Sequence, residues 1–182
     1  MKFRSLLFVG LCMLQLGCEK DEDEESDNGG NNNPTEDTSS FEAKIDGVDF
    51  ESETILIAGT SAGSGGLNAR LASGTRFMMN GDTMTVAITA TSFNAAAFEE
   101  GADFDASNGL LGDYCFGNVL INNGLTEIEA DSEDTGQAQM TITAYDEING
   151  TFSGTFSFVA EDDDNNVSYT VTEGIFTNVE FD

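Results

Sequence analysis

Two acidic segments, residues 131–134 and the denser 161–166, hold the residues whose types and spacing best suit metal binding. Ca²⁺ takes about six to eight oxygen ligands, and clustered carboxylates relieve their mutual repulsion by binding it. The denser segment lacks the glycine that an EF-hand loop needs, so it does not form an EF-hand. If the two segments share one end of the fold, a single Ca²⁺ site can span them. Its candidate ligands are Asp162, Asp163, Asp164, Asn165, Asp131 and Asp134. Solvated hairpin tips are the alternative interpretation.

The composition argues against most enzyme mechanisms. The 182 residues include no His, which excludes Ser-His-Asp and Cys-His catalysis and removes the commonest metal ligand. A carboxylate pair of the glycosidase kind needs no His. However, 25 of the 34 acidic residues follow residue 40, and nothing in their spacing singles out two of them. The chain also has no Trp and only three Tyr to form a sugar platform. We therefore predict a protein that is not an enzyme and has no cofactor other than Ca²⁺.

The three Cys residues predict neither a disulfide nor a cysteine-based metal site. Cys12 and Cys18 lie near the N-terminus, so Cys115 alone remains in the rest of the chain. It stands between Tyr114 and Phe116. We expect a buried and unreactive thiol there.

Residues 1–17 have the pattern of an export signal. Lys2 and Arg4 precede an apolar run over Leu6–Leu16, which is shorter than the roughly 20 residues that a membrane-spanning helix needs. Gly17-Cys18 then resembles the lipobox of bacterial lipoproteins. This resemblance implies that Cys18 is acylated and becomes the mature N-terminus. An ordinary cleaved signal with an incidental Cys is the alternative.

The residues after Cys18 resemble the acidic tag that routes lipoproteins of the Bacteroidota to the outer face of the outer membrane. The tag residues are Lys20, Asp21, Glu22, Asp23, Glu24 and Glu25. A stretch rich in Gly, Asn and Ser follows, so residues 18–40 are predicted to be a lipidated, flexible linker. We expect a cell-surface lipoprotein held to the outer membrane by the lipid on Cys18. An acidic tether without receptor meaning is the alternative.

The charge of the remaining chain limits its partners. Phe41–Asp182 carry three basic against 25 acidic side chains, which gives a net charge of −22. Such a charge repels nucleic acid and anionic membrane surfaces. It suits a basic protein or a cation-bridged polysaccharide, or it keeps the chain soluble in high salt. An unidentified protein, polysaccharide or small molecule therefore stays open as the partner.

From residue 41 onward, apolar and polar residues alternate with a period of two, which predicts β-strands. Asp46-Gly47 predicts a hairpin, Asn80-Gly81-Asp82 a second tight turn, and Gly154 a β-bulge. The predicted strands are Phe41–Ile45, Val48–Phe50, Thr54–Ala58, Leu67–Ala72, Arg76–Met79, Met84–Thr91, Tyr114–Ile121, Thr126–Ala130, Gln137–Tyr145, Phe152–Phe158, Val167–Thr172 and Ile175–Phe181. We therefore predict one all-β domain over residues 41–182, an antiparallel β-sandwich or barrel of about ten strands.

One segment departs from this alternation. Ser92–Gly101 offers a Ser N-cap, an Ala-rich centre and a Gly stop, which favours a short helix near 92–100. Because isolated helices of two turns are marginal in water, Phe93 and Phe98 would have to pack on the sheet. An irregular loop is the alternative.

Several strand-and-turn motifs resemble small β-rich lipoprotein domains of unknown function from the Bacteroidota. They are Phe41-x-Ala43-Lys44-Ile45-Asp46-Gly47-x-x-Phe50, Ile142-Thr143-x-Tyr145-Asp146, Gly150-Thr151-Phe152, Gly154-Thr155-Phe156-Ser157-Phe158 and Thr172-Glu173-Gly174-Ile175-Phe176. The resemblance covers most of residues 41–182 and implies a fold and a tethered location, without catalytic or binding residues. Asp82-Thr83-Met84 is similar to O-glycosylation acceptors of the same phylum, which makes Thr83 a candidate glycosylation site.

These features predict a surface-exposed bacterial lipoprotein with a non-catalytic binding or envelope-interaction domain of unknown ligand. A lipocalin-like carrier of small hydrophobic ligands is one alternative. Inward-facing Phe residues look the same in sequence around a filled core and around a cavity. A carboxylate-dependent glycosidase is the less favoured alternative.

Overall fold

The computed structural model describes residues 39–58, 66–109 and 111–181, of which 55–58 are described by their backbone alone. These residues belong to one compact unit, Glu36–Asp182, and form eleven β-strands and two single-turn 3₁₀ helices. The strands are β1 Ser40–Ile45, β2 Val48–Glu51, β3 Thr54–Ala58, β4 Asn68–Phe77, β5 Thr83–Ser92, β6 Asp103–Asp105, β7 Tyr114–Asn122, β8 Glu127–Asp131, β9 Ala138–Asp146, β10 Thr151–Asp162 and β11 Val167–Glu180. Every pairing among them is antiparallel, which confirms the all-β prediction.

The strands form one curled sheet in the order β2-β1-β11-β10-β8-β7-β5-β4-β3, with β9 and β6 branching from β10. The outermost strands of this order, β2 and β3, are consecutive in the chain and are linked by Ser52 and Glu53. The Ser52 N–H donates to the carbonyl of Phe41 in β1 (3.0 Å), and the Glu53 N–H donates to the carbonyl of Thr75 in β4 (2.8 Å). The sheet therefore curls until β1 and β4 lie on either side of this link.

Strand direction gives the curled sheet two ends. At the end that we call the termini end, β1 begins and β11 finishes, and the Ser39 hydroxyl donates to the carbonyl of Asn178 (2.8 Å). Because neighbouring strands are antiparallel, the turns after β1, β4, β7 and β10 all lie at the opposite end, which we call the turn end. These turns span residues 46–47, 78–82, 123–126 and 163–166.

The predicted turns and the predicted bulge are confirmed. Asp46 (φ 52°) and Gly47 (φ 80°) both adopt the left-handed region, as a two-residue hairpin requires to match the twist of its strands. Gly81 also has a positive φ, 91°, within its turn. The register between β9 and β10 shifts between Ser153 and Gly154, where the alternation predicted the bulge.

Two pairs of predicted strands are each one strand. Leu67–Ala72 and Arg76–Met79 merge into β4, because the small residues between them still pair with β5. Val167–Thr172 and Ile175–Phe181 merge into β11, in which Glu173 has a φ of 51° and the pairing with β1 shifts register nearby. A β-bulge therefore explains the break in alternation that separates the two predicted strands.

The segment near residues 92–100 forms a single 3₁₀ turn, Ala95–Ala97, and not a two-turn α-helix. Ser92 is the last residue of β5, and the cap is Asn94, whose side chain accepts from the Ala96 N–H (3.1 Å). So few residues cannot offset the cost of nucleating an α-helix. Phe98 packs in the core as expected, whereas Phe93 is half-exposed.

Phenylalanine rings fill the interior of the sheet. Inward-facing glycines make room for them: a Cβ on Gly117 would lie 2.3 Å from the Phe158 ring, and one on Gly154 would lie 2.5 Å from the Phe176 ring. Such contacts leave no space for a methyl group, so rings and glycines pack as complementary shapes. The eight buried phenylalanine rings are Phe41, Phe50, Phe98, Phe104, Phe152, Phe156, Phe158 and Phe176. Within the described residues, these rings and the aliphatic side chains around them form one hydrophobic core.

Candidate functional sites

The two acidic segments meet in the sheet. Asp131, the last residue of β8, pairs directly with Glu161 of β10, so the β8–β9 connection lies beside the end of β10. The Asp131 carboxylate accepts from the backbone N–H of Glu133 (2.9 Å). Partial burial raises the pKa of Glu133, and the carboxylates of Asp131 and Asp134 raise it further. The first condition for a shared cation site, proximity of the two segments, is therefore met.

Asp162 has a structural role within its own turn. Its carboxylate accepts from the backbone N–H groups of Asp164 (2.9 Å) and Asn165 (3.1 Å) and from the Asn165 side-chain amide (2.6 Å). Hydrogen bonding by Asn165 lowers the pKa of Asp162. Among the described residues, no three acidic or Cys side chains converge in an arrangement that could hold a metal ion. Ca²⁺ binding by these turns stays a prediction.

The turn between β9 and β10 has the same construction. Asp146 accepts from the N–H groups of Ile148 (3.0 Å) and Asn149 (2.9 Å) and from the Asn149 amide (2.7 Å), and its pKa is also lowered. Both turns end in a residue of positive φ, Gly150 and Asn166. An Asp followed three residues later by an Asn therefore builds a turn in this fold, with or without further carboxylates.

The remaining predicted site residues fall in different places. Thr83 is the first residue of β5, half-buried, and its hydroxyl donates to the carbonyl of Asn122 (3.3 Å). Cys18 and the tag residues Lys20, Asp21, Glu22, Asp23, Glu24 and Glu25 lie outside the described residues. Acylation, export and glycosylation at these positions stay predictions.

Cys115 is the buried thiol that the sequence predicts. It is fully buried in β7, and its Sγ donates to the carbonyl of Phe104 (3.3 Å). Burial raises the pKa of the thiol to about 12. The reactive thiolate is therefore scarce at neutral pH, and this Cys is a core residue.

Sequence reasoning missed a buried guanidinium. Arg70 of β4 is only 8% exposed and points into the sheet near the termini end. Its Nη2 donates to the Tyr145 hydroxyl (2.6 Å), and its Nη1 donates to the carbonyl of Ala69 (3.1 Å). The rings of Phe181 and Phe98 lie 4.2 and 4.8 Å from the guanidinium carbon. We call Arg70, Phe98, Tyr145 and Phe181 the Arg70 cluster.

The sequence carries only a faint signal for this cluster. Arg70 shares its side of β4 with Ala72 and Gly74, two small residues at inward-facing positions, which leave room for a long side chain. The three aromatic partners come from the β5–β6 connection, from β9 and from the residue after β11. No local pattern can bring such distant residues together.

Two open concavities lie on the outside of the sheet. One, of about 360 Å³, runs over β9, β10 and β11 and is lined mainly by uncharged side chains, among them Gln137, Gln139 and Thr172, with Asp105 at its rim. The other, of about 500 Å³, lies at the turn end beside Phe77 and Met79. Both are surface features, separate from the Arg70 cluster.

No helix in the described part of the chain is long and apolar enough to cross a membrane. Comparisons of the chain with protein-family models, with curated proteins and with solved structures find no match.

Proposed function

We propose that this chain is a lipid-anchored, cell-surface lipoprotein of the Bacteroidota type whose all-β domain is a non-catalytic binding or envelope-interaction module. The support for the anchor is the apolar run that ends in Gly17-Cys18. The support for surface export is the Lys20–Glu25 tag that follows at once. The predicted linker between tag and domain, rich in Gly, Asn and Ser, suits a module that works at a distance from its membrane.

The observation that carries this proposal is the position of the domain's first strand. The chain enters the domain at Ser39 and Ser40, at the termini end. Lipid, tag and spacer therefore attach to that end, and the four hairpin turns of the turn end lie on the opposite side of the domain. Tethering by Cys18 leaves those turns accessible to a partner.

The turn end also carries exposed apolar side chains. Val48 and Phe77 are 64% and 62% exposed, and Met79 and Leu125 are more exposed still. Exposed apolar residues at hairpin turns are suited to interaction surfaces, although Phe93, Leu111 and Ile148 are also exposed at connections of the termini end. The alternatives lack comparable support: a hydrophobic carrier needs an empty interior, and a glycosidase needs two carboxylates facing one cleft. Rings fill the interior, and Asp105 is the one carboxylate that lines the two open concavities.

The test is to replace Cys18 with Ala in the full-length chain and to separate cell membranes from soluble material. We expect the variant to leave the membrane fraction, because a chain without an acyl group has no anchor. Cys12→Ala is the matched control, since it changes a Cys in the same segment without removing the lipid attachment site. Continued retention of the Cys18→Ala chain in membranes would overturn the proposed anchoring.

Surface export needs a separate measurement. Protease added to intact cells should digest the domain of the unmodified chain. It should spare the domain when the five tag carboxylates are replaced by amides while Cys18 is kept. Equal digestion of both chains would leave the domain tethered but would remove the tag from the proposal.

A further inference from the structure

The Arg70 guanidinium is a buried cation that no described carboxylate neutralises. Charged side chains are almost never this deeply buried unless they are paired. The ion pair found among the described residues is the exposed one between Lys44 and Glu173. Yet 25 carboxylates accompany only three basic groups from residue 41 onward. The fold therefore holds Arg70 away from the chain's own abundant counter-ions.

The Arg70 cluster stabilises the charge without using up its hydrogen-bonding capacity. Phe181 and Phe98 present ring faces to the guanidinium, which attract a cation through the ring quadrupole. Of the five N–H donors of the side chain, one serves the Tyr145 hydroxyl and one serves the Ala69 carbonyl. The Nε atom is buried and has no partner. A buried donor left unpaired is a costly feature unless something binds to it.

The unpaired atom lies on the edge of the guanidinium that recognises carboxylates. Nε–H and one N–H of Nη2 point in the same direction, and a carboxylate takes both in two parallel hydrogen bonds when the Tyr145 hydroxyl accepts from the other N–H of Nη2. We propose that Arg70 is the recognition group of a site for the carboxylate of a small organic acid, with Nε and Nη2 as donors and the aromatic rings as its walls. This inference rests on the proposed function only in treating the domain as a binding module.

Charge favours a singly charged ligand. The net charge of −22 over residues 41–182 repels every anion, and it repels a dianion twice as strongly as a monoanion. A carboxylate needs one guanidinium to neutralise it, which is what the Arg70 cluster provides. Phosphate carries more charge at neutral pH and finds no second cation in the cluster.

Phe98 is the covering ring that lies outside the strands, and it is 3% exposed and stacked on Phe104 at 5.1 Å. It follows the single 3₁₀ turn of the β5–β6 connection, and the backbone hydrogen bonds of Ala97 and Phe98 return to Asn94 and Ala95 within that turn. Tyr145, by contrast, lies in β9 and pairs with Phe152 of β10. A ligand that reaches the guanidinium from the Phe98 side has to displace this ring from Phe104, beside the backbone hydrogen bonds that join Gly101 and Ala102 to Ile142 of β9.

The experiment uses the chain from residue 18 onward, which contains only two arginines, Arg70 and Arg76. Its Nε–H groups give two NMR signals, which the variants Arg70→Lys and Arg76→Lys assign. Arg76 is a matched control because it lies on the same strand and also stands over a ring, that of Phe50. Sodium benzoate is the carboxylate probe, and sodium chloride and sodium phosphate at equal ionic strength are the comparison anions.

We expect benzoate to shift the Arg70 signal in a saturable manner and to leave the Arg76 signal in place. Benzoate should also raise the melting temperature, and Arg70→Lys should abolish this rise while Arg76→Lys retains it. An Arg70 signal that benzoate does not move, or that chloride moves equally, would overturn the proposal. A larger shift with phosphate would overturn the carboxylate assignment. If Arg70→Lys fails to fold, the two-signal titration of the unmodified chain still decides. Membrane release of Cys18→Ala is independent of these results, so anchoring and carboxylate binding can fail separately.

Discussion

At the scale of single residues, the fold depends on the absence of a side chain at Gly117. A Cβ there would lie 2.3 Å from the Phe158 ring, which is itself buried and cannot move aside. We expect Gly117→Ala to destabilise the domain by about 1–3 kcal/mol, the usual penalty for overpacking a core. Urea denaturation monitored by circular dichroism measures this loss. Asn118→Ala, on the outward side of the same strand, should change stability much less, and equal losses would contradict the packing argument.

Two buried polar groups, Cys115 and Arg70, show why burial alone does not mark a site. The Cys115 thiol donates to a backbone carbonyl, and its raised pKa keeps it neutral, so packing accounts for it fully. Arg70 remains charged, and its Nε has no partner. Packing explains the position of Arg70 but not this unpaired donor, which is why Arg70 and not Cys115 carries a functional inference.

Of the two candidate sites, the sequence predicted the acidic turns but not the Arg70 cluster. The acidic turns could be predicted, because Asp and Asn runs are local, and the pairing of Asp131 with Glu161 brings them together. The Arg70 cluster could not, because its members are separated by up to 111 positions, from Arg70 to Phe181. A lone Arg in an alternating strand is usually a solvated residue, and only the curl of the sheet makes this position internal.

At the scale of elements, the turns that begin at Asp146 and Asp162 are stabilised in the same way, by an Asp carboxylate that accepts hydrogen bonds from the turn. Both carboxylates have lowered pKa values, so each stabilises the fold above its ordinary value of 3.8 and loses this effect as the pH falls. We expect Asp162→Ala and Asp146→Ala to lower the melting temperature at pH 7 by similar amounts. The difference in melting temperature between each variant and the unmodified chain should become smaller in acid, where the carboxylates of the unmodified chain are protonated. Thermal melts between pH 7 and pH 3 check this, and a pH-independent difference would contradict the capping role.

The same two variants separate capping from cation binding. The Asp162 carboxylate already accepts three hydrogen bonds within its own turn, which favours the alternative of solvated hairpin tips. We therefore expect equal melting temperatures in Ca²⁺ and in Mg²⁺ at matched ionic strength. A ligand at a hundredfold excess over its dissociation constant adds about 2.7 kcal/mol, which a melt detects easily. A Ca²⁺-specific rise that Asp162→Ala removes and Asp146→Ala keeps would instead establish the predicted site at the acidic turns.

Most elements could be predicted because their signals are local. Asp46-Gly47 has the two residue types that tolerate positive φ, and the segments beside it alternate, so the β1–β2 hairpin follows. Glu173 carries no such signal, because Glu is not a residue type that favours its φ of 51°. The sequence therefore predicted two strands where the structure has β11 alone. The 3₁₀ turn at Ala95–Ala97 depends on the local cap by Asn94 and on the burial of Phe98, and only the burial depends on tertiary packing.

At the scale of the whole molecule, the two proposed sites lie at opposite ends of the curled sheet: the Arg70 cluster near the termini end and the proposed interaction surface at the turn end. The chain enters at the termini end, and the Arg70 cluster lies near that end as well. Of the exposed apolar residues, Val48, Phe77, Met79 and Leu125 lie at or beside the turns of the opposite end, whereas Phe93, Leu111 and Ile148 lie at connections of the termini end. A small ligand at Arg70 and a macromolecule at the turn end would therefore not compete for the same surface.

Repulsion among the carboxylates affects the stability of the domain as a whole. A net charge of −22 in one compact unit disfavours the folded state, and monovalent salt weakens this repulsion because the screening length falls from about 30 Å at 0.01 M to about 10 Å at 0.1 M. We expect the melting temperature to rise with NaCl at pH 7, equally in KCl, and the rise to shrink near pH 4, where many carboxylates are protonated. Differential scanning calorimetry of residues 18–182 over this salt range measures the effect. A melting temperature that is constant or falls with salt would mean that the carboxylates are spaced widely enough not to repel. The acidity would then need a partner, and not high-salt solubility, as its explanation.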